Sequence, residues 1–409
     1  MQKKVFIAVG GCNRRGLDAS RLIDYFRANR CRIMGSPDSA DYILFLTCAY
    51  KKKAEDICID IIKRFNKYKS ELIVLGCLPG ISLDRLKSIF DGKYLATKDI
   101  NTIDNFFPYF KVKFNEIPDS NFSYGGYKPI LDVIASRKKQ LPLIKSLFCR
   151  LFKRKRLIIP KKKAILRISE GCNGKCSYCS ISKATGKQKS KPTHEILKEY
   201  SDLLKKGYRF FTLSAEDTGS YGSDIGTKLP ELLNNMSKID KGYCVKWHIQ
   251  TISPKYAIRY QSTLIDLIRK GKIVLIKCDI QSGNKRILSL MNRYPEVKDI
   301  LSLYSRFKKA NKRLITYSNF IIGFPSETDD EFKDTLRIMK KLELDIYEIF
   351  SYSDRHGSIS SRLSNKVQSD IMMKRLTLVH DVFRRKYDSI IDQDMLVLLN
   401  YSIFRKIKI

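Results

Sequence analysis

Cys172, Cys176 and Cys179 lie in the run Glu170-Gly171-Cys172-Asn173-Gly174-Lys175-Cys176-Ser177-Tyr178-Cys179, a Cys-x3-Cys-x2-Cys spacing. Three thiolates this close can hold three irons of a [4Fe-4S] cluster and leave the fourth iron without a protein ligand. Ordinary electron-carrying clusters take four cysteines, so the missing fourth thiolate points to catalysis at an open iron. The competing readings are half of a zinc site or scattered buried thiols. A closed zinc site needs a fourth ligand, and His194 is the only Cys or His within twenty residues.

Those cysteines must be positioned by regular elements. From Ala164 onward, strand-like runs recur at Ala164 to Ile168, Arg209 to Leu213, Val245 to Thr251, Ile273 to Cys278, Leu314 to Ile322 and Ile346 to Phe350. Helical patterns separate them. In one, Ile196, Leu197, Tyr200, Leu203 and Leu204 form an apolar stripe, with Thr193 as a candidate N-cap and Gly207 ending the helix; Pro230 suits the first turn of another. Six strands alternating with helices imply a parallel sheet curled toward a barrel, whose catalytic groups sit on the loops after the strands. The cysteine run follows the first strand. Later post-strand loops are unusual in composition: Ser214-Ala215-Glu216-Asp217-Thr218-Gly219, Gln281-Ser282-Gly283 and Gly323-Phe324-Pro325-Ser326-Glu327-Thr328.

Upstream, Val5 to Val9, Tyr42 to Leu46 and Leu72 to Leu75 read as buried strands, with helical patterns at Leu17 to Phe26 and Ala54 to Tyr68. This is an open α/β domain. Each strand is followed almost at once by a cysteine: Cys12, Cys48 and Cys77. Ligand sites in open parallel sheets lie beyond the carboxyl ends of the strands, so the three thiols should converge into a second three-thiolate site. The bland alternative is three buried thiols.

At 409 residues and 43% hydrophobic content, the chain can bury more than one core. Its eleven cysteines form no disulfide framework, which suits a reducing, cytoplasmic compartment. Without a signal peptide or a long apolar span, no stable membrane insertion is expected. The formal charge is +36, from 78 basic and 42 acidic residues, which makes a polyanion such as RNA a plausible partner. Arg137 to Lys163 holds twelve Lys or Arg and no acid, interleaved with apolar residues. It reads equally as a solvated linker or as a basic amphipathic helix against phosphate.

With these motifs assembled, the chain resembles the radical S-adenosylmethionine enzymes, and within them the methylthiotransferases. The resemblance runs from Gly11-Cys12 through Thr47-Cys48-Ala49 and Gly76-Cys77-Leu78 to the cysteine run, Gly186-Lys187 and Ser190-Lys191-Pro192. The stretch from Ser214 to Thr227, with Gln281-Ser282-Gly283 and Met291-Asn292-Arg293-Tyr294, is similar to the branch of archaea and eukaryotes that modifies threonylcarbamoyladenosine in tRNA.

The resemblance implies two [4Fe-4S] clusters, on Cys172, Cys176 and Cys179 and on Cys12, Cys48 and Cys77, with S-adenosyl-L-methionine chelated at the open iron of the first. It implies that the second cluster carries or donates sulfur, and that the product is a C–SCH3 group on C2 of N6-threonylcarbamoyladenosine 37 in tRNA. A peptide, a protein side chain or a small metabolite is the alternative acceptor. Partners are then tRNA, a low-potential electron donor and a sulfur source. Ser214, Glu216 and Asp217 are expected to meet the methionine or ribose portion, Tyr178 to stack near adenine, Gln281 to contribute from its loop, and Gly323 to let backbone approach the ring. Arg293 is a candidate for substrate phosphate or carboxylate.

Departures from the family pattern are Asn13 and Arg15 after the first cysteine, Leu46 before Thr47-Cys48, Asp279 before the Gln281 loop, and Asn319. The family's C-terminal all-β RNA-binding domain is reduced here to Met395 to Phe404. The expected fold is α/β: an N-terminal open parallel domain over 1–105, a basic linker over 106–163, a partial (β/α)6 radical SAM barrel over 164–370, and a C-terminal helix with a truncated β remnant over 371–409.

Overall fold

The computed structural model of the chain describes residues 2–124, 160–355, 357–384 and 390–392. Its first sheet is parallel throughout, built from β1 (Lys4–Val9), β2 (Arg32–Met34), β3 (Tyr42–Thr47), β4 (Glu71–Gly76) and β5 (Lys93–Ala96). The spatial order is β2-β1-β3-β4-β5. Near-continuous apolar strands can be buried on both faces. One face, with Phe6, Phe45 and Val74, packs against Cys58, Ile62 and Phe65 of helix Lys52–Phe65. The other, with Ile7, Leu44 and Ile73, packs against Leu22, Ile23 and Phe26 of helix Asn13–Ala28. Strand order reverses between β1 and β3, which is where such sheets open a crevice at their carboxyl edge.

Phe107, Phe110, Phe114 and Ile117 belong to that second core. The Phe114 ring lies 5.5 Å from Tyr25 and the Phe107 ring 5.1 Å from Phe26. The stretch assigned to a linker from residue 106 therefore begins as part of the N-terminal domain's packing, because its aromatic residues cover that helix. Most of the basic stretch, residues 125–159, lies outside the described residues.

The second sheet comprises β6 (Lys163–Arg167), β9 (Phe210–Ser214), β10 (Lys246–Ile252), β11 (Ile273–Cys278), β12 (Ile315–Ile322), β13 (Ile346–Ser351) and β14 (Ile390–Asp392). Its order is β14-β13-β12-β11-β10-β9-β6, all parallel. A seventh strand joins the six expected ones: Ile390, in the C-terminal segment, pairs opposite Tyr347 and extends the barrel sheet. Met395 to Phe404 lie outside the described residues. A short hairpin of β7 (Ser169–Glu170) and β8 (Lys189–Ser190) closes the loop that carries Cys172.

Helix Thr193–Lys205 buries Ile196, Tyr200, Leu203 and Leu204. Pro192 occupies its cap position, and Thr193 Oγ1 meets the Tyr221 hydroxyl at 3.0 Å instead of capping. Pro230 sits in the first turn of helix Leu229–Ile239. Among the described residues no helix is long and apolar enough to cross a membrane.

Period-2 alternation divides the barrel strands. Phe211, Leu213, Trp247, Ile249, Ile276, Cys278, Phe320 and Ile349 pack in the outer core beneath the helices. The alternate positions carry Arg167, Thr212, Ser214, His248, Gln250, Lys277, Tyr317, Asn319 and Glu348. The lumen is thus polar while the outer shell holds the sheet together.

Arg355, after β13, crosses to the N-terminal domain, where its guanidinium donates to Glu55 of helix Lys52–Phe65. Arg85 also pairs with Glu55, and Ser82 Oγ donates to it at 2.9 Å. Removing one partner of a buried ion pair costs about 3 kcal/mol or more. Arg355→Ala should lower stability by about 3 kcal/mol in urea unfolding followed through Trp247, the single tryptophan of the chain. A change below about 0.5 kcal/mol would show that this pair does not hold the two domains together.

Candidate active site between two cysteine trios

The loop after β6 is fixed at several points. Cys172 N–H donates to Gly186 O at 3.1 Å, and Gln188 N–H to the Asn173 side chain at 3.1 Å. Ser177 reaches across to helix Lys285–Leu290 and the turn after it, its N–H donating to Met291 O at 3.1 Å and its hydroxyl to Leu290 O at 2.7 Å. Asn292 Nδ2 holds Lys175 O at 2.9 Å. The Met291-Asn292-Arg293 run therefore braces the cysteine loop.

Gly174 N–H donates to Cys172 Sγ at 3.2 Å. A Cβ at Gly174 would stand 3.1 Å from Cys172 Sγ and 4.0 Å from Cys176 Sγ, inside the space the thiols surround. Burial pushes the part-buried Cys172 thiol up to about 11, with Asp217 and Cys176 reinforcing the shift, while Cys179 lies exposed. As a thiol Cys172 is protonated at neutral pH; a metal centre deprotonates such a ligand outright. Among the described residues no three His, Cys, Asp or Glu converge tightly enough to share a single metal ion. The irons of a cubane keep their thiolates further apart than one metal ion would, and the missing side chain at Gly174 leaves space beside the Cys172 and Cys176 sulfurs. His194 is exposed on helix Thr193–Lys205.

Cys12, Cys48 and Cys77 follow β1, β3 and β4 at the crevice edge. Gly76 makes the last turn possible: at φ +104° it lies against Thr47, whose backbone O would stand 2.6 Å from a Cβ. Cys48 and Cys77 are buried. Burial raises both thiols; the mutual charges of the trio add to this, and Arg15 opposes it at Cys77. The structure thus brings these three together. A fourth thiol, Cys58, accepts the Cys48 N–H at 3.2 Å from within the apolar core.

The segment after Cys12 joins the two trios. Arg14 donates to Ala215 O at 3.0 Å and pairs with Glu216 at 3.4 Å. Gln250 Nε2 donates to Asn13 Oδ1 at 3.2 Å. Asp18 takes Arg15 at 2.9 Å and Arg167 at 2.7 Å, all three buried. Burial works against the Arg167 charge, but Asp18, Asp119 and Glu170 together hold its pKa well above the ordinary value. Glu216 adds a small upward push to both the Cys77 and the Cys172 thiols.

The remaining expected residues divide. Ser214 is fully buried with an Oγ that meets no partner, and Glu216 Oε2 is also unpartnered. Both present free polar atoms to the chamber. Asp217 is largely engaged, its Oδ1 accepting Gly219 N–H at 3.0 Å and Ser253 N–H at 3.1 Å, while burial raises its pKa. Tyr178 packs against Ile287, Met291, Ile321 and Phe324. Gln281 continues the sheet through its backbone, giving its N–H to Asn319 O and accepting from Ile321 N–H, both at 2.9 Å. At Gly323 a Cβ would meet Met372 Sδ at 2.9 Å, so the close neighbour described there is the C-terminal helix. Arg293 is not held out to solvent: its guanidinium donates to Asp279 O and approaches Cys176 Sγ at 3.6 Å.

The lumen groups escaped the sequence reading. Thr212 Oγ1 and His248 Nδ1 are 3.3 Å apart, and Lys277 donates to Glu348 at 2.8 Å. The signal was available as polar residues two apart in apolar strands: Thr212 and Ser214, His248 and Gln250, Lys277 and Asp279, Tyr317 and Asn319.

The model of the Radical SAM superfamily matches residues 166–339, and that of Uncharacterized protein family UPF0004 matches residues 4–95. Among curated relatives, the ribosomal protein uS12 methylthiotransferase RimO of Chlamydia felis is 28% identical over 388 residues, covering 92% of this chain and 78% of the relative. The probable threonylcarbamoyladenosine tRNA methylthiotransferase of Pyrococcus abyssi is 28% identical over 381 residues, covering 93% and 83%. Over nearly its whole length the chain is similar to radical S-adenosylmethionine methylthiotransferases. Among solved structures, the radical S-adenosylmethionine methyltransferase TsrM of Kitasatospora setae aligns with a TM-score of 0.57 at 11% identity, covering 86% of this chain and 75% of that one, a likeness of fold. The Radical SAM match implies a [4Fe-4S] cluster and S-adenosylmethionine as cofactors.

Two measurements follow from this geometry. Iron on anaerobically reconstituted protein should be roughly eight per chain and fall to about four after either Cys48→Ala or Cys172→Ala, since each site then lacks one of its three ligands. Equal iron in wild type and variants would remove one of the trios from the scheme. Burial and then Lys277 lower His248 to about 3, against an ordinary 6.5. A base with a depressed folded-state pKa stabilises fully above its unfolded pKa and loses that contribution as pH falls toward the folded value. Wild-type stability relative to His248→Gln should therefore be constant above pH 6.5 and decline below it, by up to about 1.4 kcal/mol per pH unit, in urea unfolding.

Proposed function

We propose that this protein installs a methylthio group at C2 of N6-threonylcarbamoyladenosine 37 in tRNA. What supports the reading is that the segment after Cys12 reaches the barrel loops, with Arg14 pairing with Glu216 and donating to Ala215 O, and Asn13 accepting from Gln250. The choice of tRNA is supported by the +36 charge, by the Ser214 to Thr227 stretch, and by the resemblance to relatives that carry this name. Anticodon-loop bases are unstacked and can enter a pocket that a duplex base cannot.

In this reading Cys172, Cys176 and Cys179 hold the radical cluster, and Cys12, Cys48 and Cys77 hold a second, sulfur-carrying one. When bound, the first cluster supplies the electron that opens the sulfonium bond of S-adenosylmethionine. Glu216 and Ser214 bind the methionine portion, their free oxygens accepting from its ammonium and donating to or accepting from its polar groups. Asp217 shapes that loop through Gly219 and Ser253 and meets the ribose side with its second oxygen. Tyr178, Gln281 and Gly323 line the adenine side through packing and backbone. At Cys77, whose thiol burial raises, the Arg15 charge works the other way and favours thiolate. An external low-potential electron donor and a sulfur source complete the turnover.

A second reading, methylthiolation of a protein side chain, is favoured by the relatives named for ribosomal protein uS12. The two separate in one experiment. Reconstituted enzyme is incubated with S-adenosylmethionine, reductant and sulfide, and either threonylcarbamoylated tRNA or uS12, and the products are analysed by mass spectrometry. A methylthio adduct is expected on the tRNA, with binding that weakens steeply as salt is raised. Adduct on uS12 alone would replace the tRNA reading.

A further inference from the structure

The chamber holds a cation that neither trio uses. Lys277 of β11 stands opposite Tyr317 of β12 in register, and beyond Tyr317 lies Glu348 of β13. Lys277 Nζ donates to Glu348 Oε2 at 2.8 Å, lies 4.6 Å from the centre of the Tyr317 ring and is 3.9 Å from Asp279 Oδ1. The Tyr317 hydroxyl also donates to Glu348. An ammonium has three N–H donors, and the Glu348 bond uses one. The lysine side chain is 16% exposed.

On the same inner face are buried atoms without protein partners: His248 Nε2, Gln250 Oε1, Asn319 Oδ1 and the Asp279 Oδ1 that lies 3.9 Å from Lys277 Nζ. Buried polar atoms in a native protein are hydrogen-bonded as a rule, so several orphans in one lumen mark a place where a ligand or ordered water completes them. The guanidinium groups nearby are each paired at least once, Arg14 with Ala215 O and Glu216, Arg15 with Asp18, Arg167 with Asp18 and Glu170, and Arg293 with Asp279 O and Cys176, while Arg15 Nη1, Arg167 Nε and Arg293 Nε make no hydrogen bond. Burial and Lys277 keep His248 neutral, so it adds a hydrogen-bonding group and no charge.

A cation with two spare donors, flanked by two amide carbonyl acceptors and a neutral imidazole, matches an arm that ends in a carboxylate and also carries N–H and O–H groups. We propose that Lys277 is a substrate-positioning residue that holds the carboxylate of the threonylcarbamoyl arm, with Gln250, Asn319 and His248 meeting that arm's N–H and hydroxyl groups. This rests on the tRNA reading above and assigns the residues that select its modified base. Asp279 links the two levels of the chamber, since its side chain faces Lys277 while its carbonyl holds Arg293 beside Cys176.

The test uses the full-length, cluster-loaded enzyme with S-adenosylmethionine and an anticodon stem-loop carrying the threonylcarbamoyl group either as the free acid or as its methyl ester. Wild type should bind the acid at least about tenfold more tightly than the ester in calorimetric titration. Lys277→Met should erase that preference while iron content and melting temperature are retained. Because Lys277→Met leaves Glu348 without its cation, Lys277→Met/Glu348→Gln repeats the measurement if the single variant misfolds. Equal binding of acid and ester by wild type overturns the proposal, as does an acid preference that survives in either folded variant. An intact, Lys277-dependent acid preference with no methylthio adduct on tRNA would leave the carboxylate site standing and reject the proposed reaction instead.

Discussion

Asp18 is the carboxylate on which the arrangement of this enzyme depends. It sits on the helix that begins immediately after Cys12, and it accepts both Arg15 of that helix and Arg167 at the end of β6, five residues before Cys172. A buried charge persists only when it is paired and hydrogen-bonded. The cluster spans both domains: Arg15 and Asp18 come from the N-terminal helix and Arg167 from the barrel strand, where it also meets Glu170. The same contact that neutralises the charges therefore sets the two cysteine loops facing each other. Arg167 Nη2 also donates to Arg14 O at 3.2 Å, so the backbone just past Cys12 is pinned directly to the barrel rim.

The barrel separates stability from chemistry by face. Its outer shell is apolar, with Trp247, Tyr200, Phe307 and Tyr347 buried beneath the helices. Even there the polar atoms are satisfied in sequence: Trp247 Nε1 donates to the Tyr200 hydroxyl at 3.0 Å, which donates to Asp240 at 2.8 Å. The inner face is the reverse, a lumen of His, Gln, Lys, Asp, Asn and Glu side chains, several of them incompletely paired. A half-satisfied polar network destabilises a fold. Its persistence here is understandable only because the outer shell supplies the stability and the inner face is reserved for ligands.

Much of this was legible from the chain. Strands such as Tyr42–Thr47 and Ile273–Cys278 are short apolar runs bounded by turn residues, so both their existence and the position of the cysteines after them could be read directly. Convergence of Cys12, Cys48 and Cys77 followed from a rule about carboxyl edges rather than from spacing. What could not be read were the partners of charged residues. Arg293 looks like a substrate ligand in the sequence, and only the fold shows its guanidinium turned to Asp279 and Cys176. The N-terminal domain's packing past residue 105 was missed because the aromatic spacing of Phe107, Phe110 and Phe114 follows short 3-10 turns rather than a long helix. Three residues of β14 were invisible because so short a strand carries no periodicity.

The barrel sheet ends at β6 on one side and β14 on the other, and different elements attend to each. At the β6 side the N-terminal domain docks through Asp18 and Arg167. Toward β14, helix Ser369–Arg384 lays Leu376, Val379 and Phe383 on the outer core. Its Arg375 pairs with buried Glu327 at 2.9 Å, while Glu327 Oε2 accepts the Gly323 N–H at 2.9 Å. The loop after β12 is thus held in shape from the C-terminal helix, just as the loop after β6 is held from the N-terminal domain. A sheet that does not close on itself gains definition at each end from a flanking element, and the two loops so fixed belong to the same mouth. In this chain the precision of the chamber comes from contacts between segments far apart in sequence, which is why the motifs reveal its chemistry and the ion pairs reveal its geometry.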